Sequence, residues 1–323
     1  MWHGRLNLPL RHNKNDNDPY IHFPWENNSC ALDATMSAWW IVYNKIYDSR
    51  KTDIMDIFQY EYMLIDIIFK NLHEGKINNI EAKTEIRGLL KNCDNKTYKA
   101  EGYITIDVLQ MYIENNIYKR RVTPNDKKSI FHWYYNLIFS CESCNIEKRG
   151  LKRGTNMIYC GTKGDYIFNS FQEAINAYIM EDDFELSCEL CSKRYTVKKK
   201  TEIQPHVLTI TLPIIDKINK NTYKMDSIDQ SIIFNNIEYE LLAAVYGDNS
   251  HFVCRYLFGG NIYEADGMRE YEIGQKKVKL HSAESQFISN DLVKDMNVTI
   301  NNVLANRSPK QVADIYYIQK NSN

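Results

Sequence analysis

Four of the chain's eight cysteines stand in two pairs, Cys141-Glu-Ser-Cys144 and Cys188-Glu-Leu-Cys191. Two residues between cysteines let both thiolates of a tight turn face one metal ion, and a second pair completes a tetrahedron with Zn–S distances of about 2.3 Å. The segment between the pairs is longer than in a compact zinc ribbon, so we expect the pairs at the tips of two hairpins of a projecting sheet. Two redox motifs or a chance pattern are the alternatives. The pattern therefore predicts a structural Zn²⁺ held by all four thiolates.

Overall charge narrows the classes of partner. The 323 residues include 40 Lys+Arg against 41 Asp+Glu, giving a formal net charge of -1. Dedicated nucleic-acid and membrane-surface binders depend on a basic excess to hold phosphates, so neither class is expected. Lys193-Arg194 and Lys198-Lys-Lys200 beside Cys191 keep a zinc-ribbon nucleic-acid binder as a competing interpretation. Such a short basic run is more often the solvated face of a hairpin.

The hydropathy of the chain bears on its location. The mainly apolar stretch of residues 36–43, which includes Ser37, is far shorter than the roughly 20 residues that cross a bilayer. The first residues are polar where a secretory signal needs an apolar core. We therefore expect an intracellular protein of the cytoplasm or nucleus, without a membrane partner, and a monomer.

The spacing of apolar residues divides the chain into a helical first part and a mainly β second part. Helical spacing dominates the first part, and short segments rich in Val, Ile, Tyr and Phe follow it. No glycine- or proline-rich linker separates the parts, so we expect one shared core with a cleft at the junction. The predicted helices are 52–75, 80–91 and 104–113, and the predicted strands include 131–139, 206–212, 237–246, 251–258 and 314–318.

Cys30 stands in a setting different from that of the other cysteines. Asn27-Asn-Ser29 precedes it, and apolar residues follow at helical spacing, which places Cys30 at a helix N-terminus. Free backbone N–H groups and the helix dipole favour a thiolate there, so Cys30 is a candidate nucleophile. A structural cysteine is the alternative. The cysteines outside the two pairs, other than Cys30, are predicted to be buried: Cys93, Cys160 and Cys254. For Cys160, a position near the zinc thiols is the alternative.

A base and its orienting group stand on one predicted hairpin. His251 opens a strand, and the strand at 261–266 can return beside it through the Gly259-Gly260 turn. Asp266 then comes back beside His251, where its carboxylate can accept the imidazole N–H and fix the tautomer. The alternative is an ordinary hairpin with an exposed histidine and a turn aspartate.

Together these residues resemble the ubiquitin-specific protease family, a papain-like group of cysteine isopeptidases, in order along nearly the whole chain. The Cys30 segment resembles the cysteine box of the family, and the four paired cysteines resemble its zinc-bearing fingers. Gln204-Pro-His-Val-Leu-Thr-Ile-Thr-Leu212 resembles the strand that re-enters the palm, and Ala313-Asp-Ile-Tyr-Tyr-Ile318 resembles the closing strand. Segments 239–246, 250–252 and 263–267 resemble the histidine box.

The resemblance implies an α+β fold of the papain-like, ubiquitin-specific-protease type, in a single catalytic domain of residues 1–323. A helical thumb (1–125), zinc-bearing β fingers (126–204) and a β palm (205–323) would enclose an active cleft between thumb and palm. Cys30-Ala-Leu-Asp33 with Ser37-Ala38 is closest to the SUMO-directed branch, whose box also has Leu-Asp after the residue that follows the cysteine. SUMO therefore competes with ubiquitin as the expected partner.

The implied activity is thiol isopeptidase cleavage after the C-terminal Gly-Gly of ubiquitin or SUMO in their conjugates. Cys30 would be the nucleophile, His251 the proton shuttle and Asp266 its orienting group, while Zn²⁺ stays structural and the fingers cradle the modifier. Aromatic residues near the nucleophile either wall the channel for the Gly-Gly tail or, as helical spacing favours, belong to the core: Trp25, Trp39 and Trp40.

The oxyanion hole is where the chain departs from the family pattern. That pattern has an asparagine five residues before the nucleophile, and this chain has Trp25 there. Asn27 is the candidate replacement, Asn28 a further one, and the backbone N–H groups at Cys30 would add donors. These amides can equally be helix caps. A catalytically weak scaffold that binds ubiquitin or SUMO is the corresponding alternative function.

Overall fold

Helices pack on both faces of a large β-sheet, and a smaller sheet carries the paired cysteines. The structure is a computed structural model that describes residues 23, 30–48, 64–93, 130–131, 133–155, 157–160, 168–181, 185–212, 227–248, 251–266, 268–273, 276–281, 285–289, 296–297, 299–300 and 310–320.

The helices follow the predicted periodicity where they are described. Gly75, with a φ of 70°, stands just after the second helix, as a residue suited to a helix end. Asn78 and Glu81 form a capping box at the third, because each side chain accepts a backbone N–H from the other residue. Residues 52–63 and the predicted helix 104–113 lie outside the described residues. The helices are α1 (Cys30–Asp48), α2 (Leu64–His73), α3 (Asn79–Cys93) and α4 (Phe171–Ile179).

The strands form two main sheets. The strands are β1 (Trp133–Cys141), β2 (Ile146–Thr155), β3 (Ile158–Tyr159), β4 (Met180–Glu181), β5 (Thr196–Ile203), β6 (Val207–Thr211), β7 (Ser231–Phe234), β8 (Ile237–Gly247), β9 (Phe252–Phe258), β10 (Asn261–Ala265), β11 (Met268–Ile273), β12 (Lys276–His281), β13 (Ser285–Ser289), β14 (Thr299–Ile300) and β15 (Lys310–Gln319). A four-stranded sheet has the order β2-β1-β5-β4. A nine-stranded sheet has the order β13-β10-β9-β8-β15-β6-β3, with β14 on β15 and β7 on β8, and β11 and β12 pair with each other.

The predicted Gly259-Gly260 hairpin is confirmed. The two glycines have φ values of 56° and 79°, which two-residue hairpin turns require at both central positions. β9 and β10 pair antiparallel on either side, with Ala265 opposite Cys254. The hairpin therefore brings the end of β10 back to the start of β9.

Two apolar cores lie on opposite faces of the large sheet. The first contains α1, α2 and α3 with one face of β8, β9 and β15, and the second contains α4 with the other face and with the four-stranded sheet. α1 is buried on nearly all its surface from Cys30 to Ile46, as expected for a helix inside a core. Tyr43 stacks on Phe69 at 4.7 Å between ring centroids.

The two tryptophans of α1 belong to this first core. Trp39 is buried and packs against Phe69 and Phe131, and Trp40 packs against Phe69 and His73. Among the helices of the described ranges, none has the length and apolar character needed to cross a membrane.

Candidate active site and metal centre

Three elements bring the predicted catalytic residues to one place. Cys30 is the first residue of α1, His251 directly precedes β9, and Asp266 directly follows β10. α1 packs against β8 and β9 through the first core, which contains Cys30 together with Cys254 and residues of β10. The start of the helix and the open end of the hairpin therefore meet.

The imidazole of His251 is held by the carboxylate of Asp266. His251 Nε2 and Asp266 Oδ1 are 2.7 Å apart, and their side chains are 4% and 18% exposed. A short contact shielded from water fixes the ring orientation and assigns Nε2 to the carboxylate. The other ring nitrogen, Nδ1, is buried and makes no hydrogen bond to a nitrogen or oxygen of the described residues, which leaves it for the Cys30 thiol.

Cys30 and Asp266 together control the charge of His251. Burial is the largest influence and by itself lowers the pKa of His251, but the hydrogen bonds and charges of Asp266 and Cys30 outweigh it and raise the pKa to about 9. An imidazole with this pKa is mainly protonated at neutral pH. The site therefore favours a cationic ring between a sulfur and a carboxylate, the arrangement used by cysteine hydrolases.

The raised pKa predicts how His251 contributes to stability. The folded chain holds the imidazole proton more tightly than the unfolded chain, whose histidine has an ordinary pKa of about 6.5, so the contribution is complete below about pH 6.5 and is lost as pH rises through about 9. Its size is roughly 3 kcal/mol. Denaturant unfolding of the wild type and His251→Gln across pH 6 to 10 should show a difference that shrinks in this window. A difference independent of pH would contradict the assigned proton.

A buried ion pair fixes the first turn of α1. Lys83 Nζ of α3 lies 2.7 Å from Asp33 Oδ1, and each side chain is 4% exposed. Such a pair is costly to break, because either partner alone would be an uncompensated buried charge. Asp33 therefore ties the helix that begins at Cys30 to a neighbouring helix. In the sequence Asp33 stands only as part of a motif, and nothing in the local pattern points to Lys83.

Asn27, Asn28 and Trp25 lie outside the described residues. The side chain of Cys93 is also outside them. Cys160 and Cys254 are buried in the two cores, as predicted, and Cys160 stands apart from the four paired thiols.

The four paired cysteines converge at one end of the four-stranded sheet. Their Sγ atoms all lie within 4.8 Å of one another, and Cys141 and Cys191 are 3.5 Å apart. A tetrahedral zinc with Zn–S bonds of about 2.3 Å requires S–S separations of about 3.8 Å, so the cluster fits this ion. Cys141 is the last residue of β1, at the hairpin that leads to β2. Cys188 comes directly after Ser187, which forms an antiparallel bridge with Arg194 on the same side of the sheet as the β4–β5 pairing.

Backbone N–H groups in the Cys188–Cys191 turn stabilise a thiolate at Cys188. N–H groups of Leu190 and Cys191 hydrogen-bond to Cys188 and are the main cause that lowers the pKa of this thiol to about 6. Proximity to Cys191 is the main cause that raises the pKa of Cys144 to about 12. Four thiolates so close together repel one another, and a divalent cation at their centre would remove that cost.

The basic run beside Cys191 does not form one continuous patch. Lys198 and Lys200 lie opposite Ile138 and Asn136 on one face of the sheet, whereas Lys199 lies on the other. Lys199 is buried, donates to the backbone oxygen of Tyr178 at 2.8 Å and sits 3.4 Å from the centre of its ring. The middle lysine therefore serves the packing of α4.

Comparisons with known proteins show a likeness of fold. No family model and no curated protein sequence matches the chain. Among solved structures, a chain of the SAGA DUB module Ubp8/Sgf11/Sus1/Sgf73 bound to monoubiquitin, with a cysteine-to-alanine change in Ubp8, has a TM-score of 0.56 at 13% identity, covering 94% of this chain and 70% of that chain. The same module bound to ubiquitin aldehyde gives a TM-score of 0.52, also at 13% identity with coverage of 94% and 70%.

These neighbours define the class of fold. The chain shares the arrangement of its helices and strands with these solved modules. It also has a four-cysteine cluster suited to zinc. At 13% identity the likeness concerns the fold, whereas activity and substrate depend on the site itself.

Proposed function

We propose that the chain is a cysteine-type isopeptidase that removes ubiquitin by cleaving after its C-terminal Gly-Gly. The observation that supports this most is the buried His251–Asp266 contact next to Cys30, within a fold whose solved neighbours are bound to ubiquitin. Residues 1–323 would form one catalytic domain, with thumb (1–125), fingers (126–204) and palm (205–323) as the resemblance implies.

The chemistry follows from the three side chains. The Cys30 thiolate attacks the carbonyl carbon of the modifier's terminal glycine, and the His251 imidazolium gives its proton to the departing lysine amine. His251, now neutral, takes one proton from water, whose oxygen attacks the thioester and displaces the Cys30 sulfur. The modifier leaves as a carboxylic acid, which gives its remaining proton to solvent. The Cys30 thiolate and the imidazolium are thereby regenerated. Asp266 keeps Nε2 engaged throughout, so Nδ1 always faces the reacting atoms.

Other groups would assist without taking part in bond changes. Backbone N–H groups at the start of α1 can stabilise the oxyanion, and Asn27 is the proposed side-chain donor. Zn²⁺ held by the four thiolates Cys141, Cys144, Cys188 and Cys191 would fasten the tips of the two hairpins. With four protein ligands such a zinc has no open position for substrate, so its role is structural.

SUMO remains the second candidate substrate. Cys30-Ala-Leu-Asp33 is closest to the SUMO-directed branch, and the buried Asp33–Lys83 pair shows that this aspartate is integral to the start of α1. The ubiquitin complexes of the structural neighbours favour ubiquitin.

Side-by-side hydrolysis of ubiquitin and SUMO C-terminal fluorogenic substrates tests the proposal. We expect thiol-dependent hydrolysis, inhibited by iodoacetamide, with a kcat/KM for ubiquitin at least about tenfold above that for SUMO, a difference of about 1.4 kcal/mol in transition-state binding. The reverse order would assign the chain to SUMO. A folded protein that binds a modifier and cleaves neither substrate would instead be the weak scaffold.

A further inference from the structure

The turn before β9 is closed by Asp248, a residue with no part in the chemistry above. The Asp248 backbone N–H donates to the backbone oxygen of His251 at 3.2 Å, and Asp248 Oδ1 accepts the backbone N–H of His251 at 2.9 Å. Both backbone polar groups of the histidine are thus bound by one residue. The orientation of the imidazole therefore depends on where Asp248 is held.

Lys310 holds the other oxygen of that carboxylate. Its Nζ lies 3.3 Å from Asp248 Oδ2, and the two side chains are 6% and 8% exposed. β15 pairs antiparallel with β8, with Gln311 opposite Gly247. Lys310, the first residue of β15, therefore lies beside the end of β8. A nearly buried charge pair of this kind resists separation, because either partner alone would lose its compensation.

Packing on the other side restricts the backbone at Gly247. A Cβ atom on Gly247 would lie 2.2 Å from the ring of Phe252, closer than any real contact allows. Asp248 is therefore confined between this ring-to-backbone contact and Lys310. Because Asp248 binds the backbone of His251, the same contacts restrict the histidine.

We propose that Asp248 and Lys310 are positioning residues for His251, an inference that rests on the proposed function. The lysine compensates the carboxylate, the carboxylate fixes the backbone of the histidine, and the ring is thereby directed toward Cys30 while Asp266 binds its far side. Without Lys310 the Asp248 carboxylate would lose this charge partner, and its contact with the His251 N–H would be held less firmly. Displacements of about 1 Å in a catalytic group can cost about 10²-fold in rate.

Lys310→Met tests the proposal with two readouts. With the ubiquitin fluorogenic substrate we expect kcat to fall about 10- to 100-fold and KM to change by less than about twofold. Mass spectrometry of the Cys30 peptide after iodoacetamide treatment should show alkylation about tenfold slower at pH 7, because a displaced His251 ring no longer activates the sulfur. Lys310→Arg should restore most of both.

Lys320→Met is the matched control. Lys320 follows the same strand and pairs with Glu238 at 2.9 Å, but that pair is exposed and far along the strand from His251, so both readouts should stay at wild-type values. Asp248→Asn is the second variant if Lys310→Met does not fold, since it keeps the acceptor for the His251 N–H and removes the charge.

The alkylation arm separates this proposal from the proposed function, because it needs no modifier. Suppose that the wild type cleaves no substrate, but that Cys30 is alkylated more slowly in Lys310→Met than in Lys320→Met. This result would reject the activity and support the positioning role. If Cys30 is alkylated at the wild-type rate in both Lys310→Met and Asp248→Asn, the positioning role is overturned, whatever the hydrolysis shows.

Discussion

Cys30→Ala is expected to lower kcat/KM for a ubiquitin C-terminal substrate by at least about 10⁴-fold while leaving the chain folded. The sulfur is the atom that forms the covalent intermediate, and neither His251 nor Asp266 can replace it. Cys30 is the first residue of α1, where alanine is compatible with helix, so the expected effect falls on kcat. Steady-state hydrolysis, with thermal unfolding of both proteins, measures both quantities.

Cys160→Ala is the matched control for this prediction. Cys160 is equally buried but lies in the second core, on the opposite face of the large sheet from Cys30. We expect a small loss of stability, about 1 kcal/mol, and hydrolysis within about twofold of wild type. Comparable residual activity in Cys30→Ala and Cys160→Ala would remove Cys30 from the mechanism.

Cys188→Ser is expected to abolish zinc binding and to lower the Tm by about 10 °C or more. The four thiols form a complete tetrahedral set, and structural zinc of this type contributes about 10–16 kcal/mol of binding free energy that is linked to folding. In a domain of this size each kcal/mol corresponds to about 2 °C in Tm, so partial loss of that energy suffices. Elemental analysis should find one zinc per chain in the wild type and none in the variant.

A thiol outside the cluster provides the control for the metal. Cys160→Ala should keep one zinc per chain, because Cys160 lies apart from the four clustered sulfurs. A wild-type chain that binds no zinc at micromolar concentration, or a Cys188→Ser chain that keeps both its zinc and its Tm, would contradict the structural metal site.

Much of the site was predictable because its signals are local. The Cys-x-x-Cys spacing fixes two turns, the polar residues before Cys30 indicate a helix start, and Gly259-Gly260 specifies a two-residue hairpin. That hairpin alone brings Asp266 back beside His251. Each of these inferences needs only residues close together in the chain or joined by one turn.

The supporting ion pairs were not predictable for the opposite reason. Lys83 meets Asp33 across two helices, and Lys310 meets Asp248 across two strands, so no local spacing connects either pair. Only Asp248, three residues before the histidine, carried a local signal, since aspartate often accepts a backbone N–H in turns.

The basic run shows a different limit of sequence reasoning. Lys198-Lys-Lys200 reads as one patch, but in a strand successive side chains point to opposite faces. Lys199 therefore turns into the second core while its neighbours stay exposed. The segment had to be known as a strand before this division could be recognised.

Reaction with ubiquitin that carries a C-terminal electrophile tests the central claim most directly, since the adduct forms only where a thiolate meets the modifier's tail. We expect one ubiquitin per chain, attached to the peptide that contains Cys30, at a rate strongly reduced in His251→Gln. Attachment at another cysteine, or no adduct from a folded chain with either the ubiquitin or the matching SUMO probe, would contradict the account.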